Sequence, residues 1–132
     1  MIVTTLGTSH GDHTYCRFNS STLIEVGEQM YLIDAGAPVE ALLIRKQKRL
    51  SALRGIFITH MHGDHIGGLP GLIKLLLKYE EPGQHIDIFL PDAAGVPALT
   101  AWLQAMYLDL AVPAIDVDIT AEGAVYSDAA VQ

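Results

Sequence analysis

The sequence is poor in cysteine and has no long hydrophobic run. A single cysteine, Cys16, among 132 residues excludes an internal disulfide framework and a zinc ribbon, and it fits a reducing cytoplasm. We expect Cys16 simply to pack. The longest apolar stretch, Ile66 to Leu77, is interrupted by Lys74 and falls short of the roughly 18 to 20 residues that a membrane span needs. We therefore expect a cytoplasmic chain that does not enter a membrane.

Basic residues are also scarce. Eight Lys and Arg against 15 Asp and Glu give a formal net charge of −7 at pH 7, which counts against nonspecific nucleic-acid binding through phosphate contacts alone. It does not exclude a phosphate site built on bound cations, because such ions can be the largest local charges in a site. The N-terminus has no basic flank and no cleavage motif, so we expect no secretory signal.

Hydrophobic residues make up 50% of the chain, and its length suits one folded domain with a real core. The periodicity predicts a β-rich start followed by alternating α and β elements, while the last ten or so residues carry no signal. Gly27-Glu28 is a plausible hairpin turn. The predicted strands are 1–6, 22–26, 30–34, 56–58, 86–90 and 114–119, and the predicted helices run from Pro38 to Arg49, from Leu69 to about Pro82 and from Val96 to Leu110.

Four potential metal ligands lie within six residues, in the segment His60-Met61-His62-Gly63-Asp64-His65. The segment follows the buried strand Ile56–Ile58, so it lies at the carboxyl end of a strand. Histidines two residues apart can turn both imidazoles toward one cation, and Asp64 and His65 can then turn toward a second. This ligand set suits zinc or manganese, and Gly63 lets the backbone fold tightly around the ions. The alternative is a loop of ordinary polar residues, which the density of ligands disfavours.

The stretch from Thr59 to His65 resembles the HxHxDH signature of the metallo-β-lactamase superfamily. Its continuation, Gly67-Gly68-Leu69-Pro70-Gly71-Leu72, is similar to the ribonuclease Z (tRNA 3′-endonuclease) branch. Three earlier segments lie in the order and spacing of that branch, and the resemblance covers roughly residues 1–90. These segments are Leu6-Gly7-Thr8-Ser9, Asn19-Ser20-Ser21 and Leu32-Ile33-Asp34-Ala35-Gly36. The implied fold is the N-terminal half of an α/β, αββα sandwich, with a mixed sheet that carries helices on one face.

The resemblance also implies roles for individual residues. Up to two divalent ions, zinc in the first place and manganese in the second, would be bound by His60, His62, Asp64 and His65. Asp64 would also steer the attacking hydroxide. Asp34 would orient a ligating histidine from behind, although an ordinary turn aspartate would look the same in the sequence. A complete member of the family adds a later histidine, a bridging aspartate and a final histidine, and we find no such motifs downstream. We therefore expect residues 1–132 to form a truncated domain of this kind, or to work with a second copy or a complementing chain.

Other histidines and aromatic residues have simpler interpretations. His10-Gly11-Asp12-His13 imitates half of the ligand motif, but a surface pair is favoured over a metal pair. His85 is interpreted as structural. Trp102 and Tyr107 are expected to pack on a helix rather than to stack on bases.

Three functions remain open at this point. The first is phosphodiester hydrolysis of the ribonuclease Z type through a metal-bound hydroxide, with pre-tRNA or a small phosphodiester as substrate. The second keeps the metals and hydrolyses a lactone, thioester or β-lactam. The third is an inactive half-domain that binds metal weakly or pairs with a partner.

Overall fold

The structure is a computed structural model that describes residues 1–120 and 126–131. Within that part of the chain, six strands form one sheet in the order of the sequence. They are β1 (Ile2–Gly7), β2 (Ser21–Val26), β3 (Gln29–Ile33), β4 (Leu53–Phe57), β5 (Ile86–Leu90) and β6 (Ile115–Ile119). The helices are α1 (Val39–Arg45), α2 (Gly63–Ile66), α3 (Leu69–Lys78) and α4 (Gly95–Ala105), with a 3₁₀ turn at Leu50–Ala52.

The sheet is mixed, as predicted. Strands β1, β2 and β3 pair antiparallel, and the predicted hairpin turn is present, with Gly27 at a φ of 60°. From β3 to β6 every neighbouring pair is parallel, so each connection must cross over the sheet, and each contains a helix. The carboxyl ends of β3, β4 and β5 therefore meet at one edge.

The core lies between the sheet and its helices. Leu23, Leu32, Ile56 and Ile88 come from four neighbouring strands, and each has no exposed surface. Helix residues that pack against them are equally buried and include Leu43, Leu72 and Leu99. Burying a side chain of this size stabilises the fold by about 1.5–3 kcal/mol relative to leaving it exposed. The expectation of an α/β fold with helices on one face is confirmed. None of the described helices has the length and apolar character to cross a membrane.

All three longer helices end earlier than predicted: α3 ends at Lys78 rather than near Pro82, and the other two end in a common way. Helix α1 ends at Arg45 rather than Arg49, and α4 ends at Ala105 rather than Leu110. Two residues beyond each helix end, Gln47 after α1 and Tyr107 after α4 have a φ near 60°. The amide of the following residue donates to the carbonyl of Leu43 in α1 and of Leu103 in α4. This is the Schellman arrangement, which usually carries glycine at the left-handed position. Because glycine is absent there, the end of neither helix could be predicted from its residues.

The early end of α4 changes the environment of its aromatic residues. Tyr107 lies beyond the helix and is 99% exposed, and Trp102 is 41% exposed. The expectation that Tyr107 packs on a helix is therefore wrong. Cys16 was also expected to pack, yet it lies on the surface.

The segment 126–131 lies on the sheet face opposite the helices. Tyr31 in β3 donates a 2.5 Å hydrogen bond to Asp128 Oδ2, and Tyr126 donates to the same oxygen at 2.9 Å. The Tyr126 ring meets Phe57 and Phe89 edge-on, with ring centroids 5.8 and 6.0 Å apart. This segment therefore covers part of the aromatic surface of the sheet.

Candidate metal centre

The ligand segment connects β4 to α2 and is held at both ends. Ile58, just after β4, is 3% exposed, and its amide donates to the Phe89 carbonyl at 2.9 Å. Four residues after Ile58, His62 caps α2. The His62 carbonyl accepts a hydrogen bond from the His65 amide at 2.9 Å. The sequence predicted that the segment follows the end of a strand and that a helix begins only after it. Asp64 and His65 instead lie in the first turns of a short helix, which fixes their direction relative to each other.

Three of the four predicted ligands converge on one point. The ligand atoms of His60, His62 and Asp64 all lie within 4.8 Å of one another. The His60 ring centroid is 4.8 Å from that of His62 and 3.8 Å from that of His65. His62 is exposed, whereas His60 and Asp64 are half-buried. The cluster is thus open to solvent on one side and backed by the protein on the other.

Asp64 lies between the two predicted pairs of ligands. Its Oδ2 is 3.3 Å from His65 Nε2, and its carboxylate also belongs to the group formed with His60 and His62. The sequence suggested that His60 and His62 would face one ion while Asp64 and His65 would face another. In the structure Asp64 is in reach of both positions, so a single carboxylate could contact ions on either side.

Asp34 contacts the ligand segment from behind. It is 4% exposed, and its Oδ2 lies 2.6 Å from His65 Nδ1. Its other oxygen accepts from the Thr59 amide at 2.8 Å, and the Thr59 hydroxyl donates to the same carboxylate at 2.9 Å. Since a carboxylate only accepts, His65 Nδ1 carries a proton, and in the neutral imidazole Nε2 then has a lone pair toward Asp64. Metal-ligating histidines are commonly oriented in this way.

The backbone at Asp34 has an unusual conformation. Its φ of 60° lies in the left-handed region, which aspartate tolerates better than most residues. The next amide, of Ala35, donates to the His65 carbonyl at 2.7 Å, and the Ala35 carbonyl accepts from Gly68 at 2.8 Å. These bonds tie the end of β3 to the carboxyl half of α2 and to Gly68, the residue before α3. Asp34 therefore does more than end a strand, since its backbone and side chain both support His65.

The glycine that this site requires is Gly36 rather than Gly63. A Cβ at position 36 would lie 2.4 Å from the Asp64 carbonyl oxygen and 2.7 Å from that of Ser20, whereas a Cβ at position 63 would meet nothing within 4 Å. No protein atom near position 63 therefore requires glycine, and the role of Gly63 around an ion stays a prediction. The close approach is made by the loop after β3, against the backbone of α2.

The other histidines lie apart from this group. His10 and His13 are both exposed, and the His13 Nε2 atom is 3.0 Å from the Ala37 carbonyl oxygen. In the described part of the chain the converging set at this edge contains neither of them. His85, which was interpreted as structural, converges with Asp87 and Asp116 in a second group. The signal that could have indicated it was Asp87 in strand 86–90, together with the alternating acidic residues of strand 114–119.

The donor chemistry of the first cluster fits a divalent transition metal. Imidazole nitrogens and a carboxylate are ligands of zinc and manganese, and the carboxylate behind His65 supplies the supporting contact that such sites usually have. In the neutral imidazole, the lone pair of His65 Nε2 faces the Asp64 carboxylate, and a bound cation would accept electron pairs from both groups.

Comparison with known proteins shows which family the chain belongs to. A protein-family model described as anti-Pycsar protein Apyc1 matches residues 1–106. The chain belongs to this family. A ribonuclease Z from Synechococcus sp. strain CC9902 is 40% identical over 94 residues, which are 70% of this chain and 30% of that protein.

Solved structures agree with the fold of this Apyc1-family chain. The crystal structure of human tRNase Z, short form (ELAC1), has a TM-score of 0.75 and 26% identity, and the match covers 91% of this chain and 46% of that one. The metallo-beta-lactamase fold protein YhfI from Bacillus subtilis has a TM-score of 0.68 and 21% identity, covering 90% of this chain and 45% of that one. The resemblance to the ribonuclease Z branch of the metallo-β-lactamase superfamily is confirmed. The chain spans about 30% of the ribonuclease Z that it matches and about half of each solved structure.

Proposed function

We propose that this chain supplies the metal-binding part of a metal-dependent phosphodiesterase of the ribonuclease Z type. The observation that carries the proposal is the line of contacts from Asp34 through His65 to Asp64, which lies beside His60 and His62. A loop of ordinary surface residues would not need a buried carboxylate to hold one imidazole at 2.6 Å.

Each residue has a distinct part in this proposal. His60 and His62 bind one divalent ion, and Asp64 and His65 bind on the side of a second. Asp64 also accepts a hydrogen bond from the attacking water and so directs it toward phosphorus. Asp34 keeps the proton on His65 Nδ1, which leaves Nε2 free to bind. Bound divalent ions supply an acidified water and stabilise charge on the phosphoryl oxygens; zinc is the first candidate and manganese the second.

The substrate class rests on the relatives. Several are named ribonuclease Z, which favours a 3′-extended pre-tRNA over an ester or a lactone. The family description, anti-Pycsar protein Apyc1, differs from that name, so a small phosphodiester is the appropriate second substrate to test. Because the net charge is −7, bound cations rather than a basic protein surface would have to attract the RNA phosphates.

Parallel assays with three substrates test this proposal. A 3′-extended pre-tRNA, bis(p-nitrophenyl) phosphate and a lactone reporter would each be incubated with the chain and zinc or manganese. We expect phosphodiester cleavage that is lost in His62→Ala and retained in His10→Ala, which removes an exposed histidine outside the cluster. Cleavage that survives His62→Ala, or turnover of the lactone alone, would contradict the proposal.

The ligand set also leads to a proposal about assembly. A catalytic zinc usually has three protein ligands, and this cluster shares four predicted ligands between two ions. We propose that the remaining ligands come from a second copy or from a complementing chain. The part of the sheet face away from the helices that includes Ile24 and Ile33, which are only half-buried, is the proposed surface for that contact. Sedimentation equilibrium with zinc should give a dimer, and a monomer that cleaves the diester at micromolar concentration would contradict this proposal.

A further inference from the structure

A second group of metal-ligating side chains lies at the opposite edge of the sheet. His85 immediately precedes β5, Asp87 is the second residue of β5, and Asp116 is the second residue of β6. Because these strands are parallel, all three lie at their amino ends, whereas the His60 cluster follows the carboxyl end of β4. The ligand atoms of the three residues lie within 4.8 Å of one another. The second group is therefore separate from the first.

The two carboxylates of this group face each other across neighbouring strands. Asp87 and Asp116 are direct partners in the register of β5 and β6, a position in which like charges destabilise a sheet. Among the residues that the structure describes, the only cationic group within ion-pair distance of either carboxylate is the His85 ring. Its Nε2 is 3.2 Å from Asp87 Oδ1 and also 3.2 Å from Asp116 Oδ2.

The hydrogen bond made by Nδ1 of His85 determines whether Nε2 has a lone pair for a metal ion. Nδ1 lies 3.3 Å from the Pro113 carbonyl oxygen, and a carbonyl only accepts, so Nδ1 carries a proton and donates it. In the neutral imidazole the Nε2 atom then has a lone pair directed at two carboxylates. A metal ion would bind all three donors at once. Donation of the second nitrogen to a backbone carbonyl is also the usual arrangement of metal-bound histidine.

The spacing of the donors fits such an ion. Zinc binds nitrogen and oxygen at about 2.0–2.2 Å, and in tetrahedral geometry this places the donors roughly 3.4 Å apart. The observed 3.2 Å from His85 Nε2 to each carboxylate is close to that value. The Asp116 side chain is 76% exposed, which leaves room for water to complete the coordination. We propose that His85, Asp87 and Asp116 form a second divalent-metal site, for zinc or manganese, that joins β5 to the edge strand β6.

The test requires that the first cluster be disabled. In the full chain carrying His60→Ala and His62→Ala, zinc titration should still show about one bound ion per chain. Adding Asp116→Asn should weaken this binding at least tenfold, whereas Asp118→Asn, on the same face of β6, should not change it. Asp116→His supplies another ligand and should restore binding. Since Asp116 is exposed, these variants are expected to fold, and circular dichroism would verify that they do.

A second readout locates the ion. Mn²⁺ added to the His60→Ala/His62→Ala chain should broaden the amide signals of Asp87 and Val117 selectively, and zinc should raise its thermal midpoint. If this chain binds no zinc, His85 is only a protonated bridge between two carboxylates and the proposal is wrong. Zinc binding that Asp116→Asn leaves unchanged would also overturn it. Neither result bears on phosphodiester cleavage, which depends on the other edge of the sheet.

Discussion

Asp34 is the residue whose environment distinguishes a built metal site from a chance cluster of histidines. We predict that Asp34→Asn lowers zinc affinity at the first cluster roughly 10–100-fold. The amide can still accept from Thr59, but its NH₂ group would point at His65 Nδ1 and favour the wrong tautomer. Zinc titration in an Asp116→Asn background, which removes the second group, measures the change.

Asp92→Asn is the matched control for that prediction. Asp92 follows β5 much as Asp34 follows β3, and its carboxylate accepts from the Gly95 amide at 3.0 Å, a contact that asparagine can also make. The zinc affinity of the Asp92→Asn variant should equal that of the parent protein. If Asp34→Asn also binds zinc like the parent, Asp34 does not position His65.

Individual residues of the first cluster could be predicted because the motif is local. His60, His62, Asp64 and His65 lie in one short segment, so their convergence needs only a strand end and a turn. The group of His85, Asp87 and Asp116 was missed because Asp116 comes from another strand, and only the register of β5 and β6 brings it alongside Asp87. The contact of Asp34 with His65 likewise depends on the pairing of β3 with β4.

At the scale of elements, the contact between the loop after β3 and α2 determines the shape of the site. We predict that Gly36→Ala destabilises the protein by about 1–3 kcal/mol or more, because the new methyl group would overlap backbone atoms that have no room to move. Gly63→Ala, in α2 itself, should leave stability unchanged or slightly raised, since alanine is the better helix former. Chemical denaturation of the two variants measures both effects. Equal stability of the two would show that the chain tolerates a side chain at position 36.

The elements themselves were largely predictable, and the errors have a common cause. All six strands and the three longer helices follow hydrophobic periodicity, which is a property of each segment alone. The overlong predictions for α1 and α4 arose where Gln47 and Tyr107 occupy a left-handed position that glycine usually marks. The short helix α2 was missed because four residues carry no periodicity. It forms where the chain leaves β4 and turns toward α3.

For the whole molecule, the hydrogen-bonded group of Tyr31, Tyr126 and Asp128 ties residues 126–131 to the sheet and makes stability depend on pH. Burial and the bond to Asp128 raise the pKa of Tyr126 to about 12, and the same causes raise the pKa of Tyr31 further. Burial alone would raise the pKa of Asp128. Hydrogen bonds from Tyr31, from the amides of residues 130 and 131 and from Tyr126 outweigh it and lower this pKa to about 2.

The sign of each pH effect follows from these shifts. The tyrosines favour their neutral form in the folded state, so their contribution is complete below pH 10 and is lost as pH rises toward 12. Asp128 favours its charged form, so its contribution is present above pH 3.8 and is lost as pH falls toward 2. Tyr31→Phe should therefore weaken both dependences of the thermal midpoint. Tyr79→Phe, at a tyrosine that is 61% exposed, should weaken neither, and identical profiles for all three proteins would contradict this explanation.

The central claim is that His60, His62, Asp64 and His65, supported by Asp34, bind a divalent metal ion. Elemental analysis of zinc bound per chain, for Asp116→Asn with the cluster intact and for the same protein with His60→Ala and His62→Ala, tests it most directly. We predict about one or two zinc ions for the intact cluster and none after the double substitution. Absence of zinc from the intact cluster, or the same zinc content in both proteins, would contradict the claim.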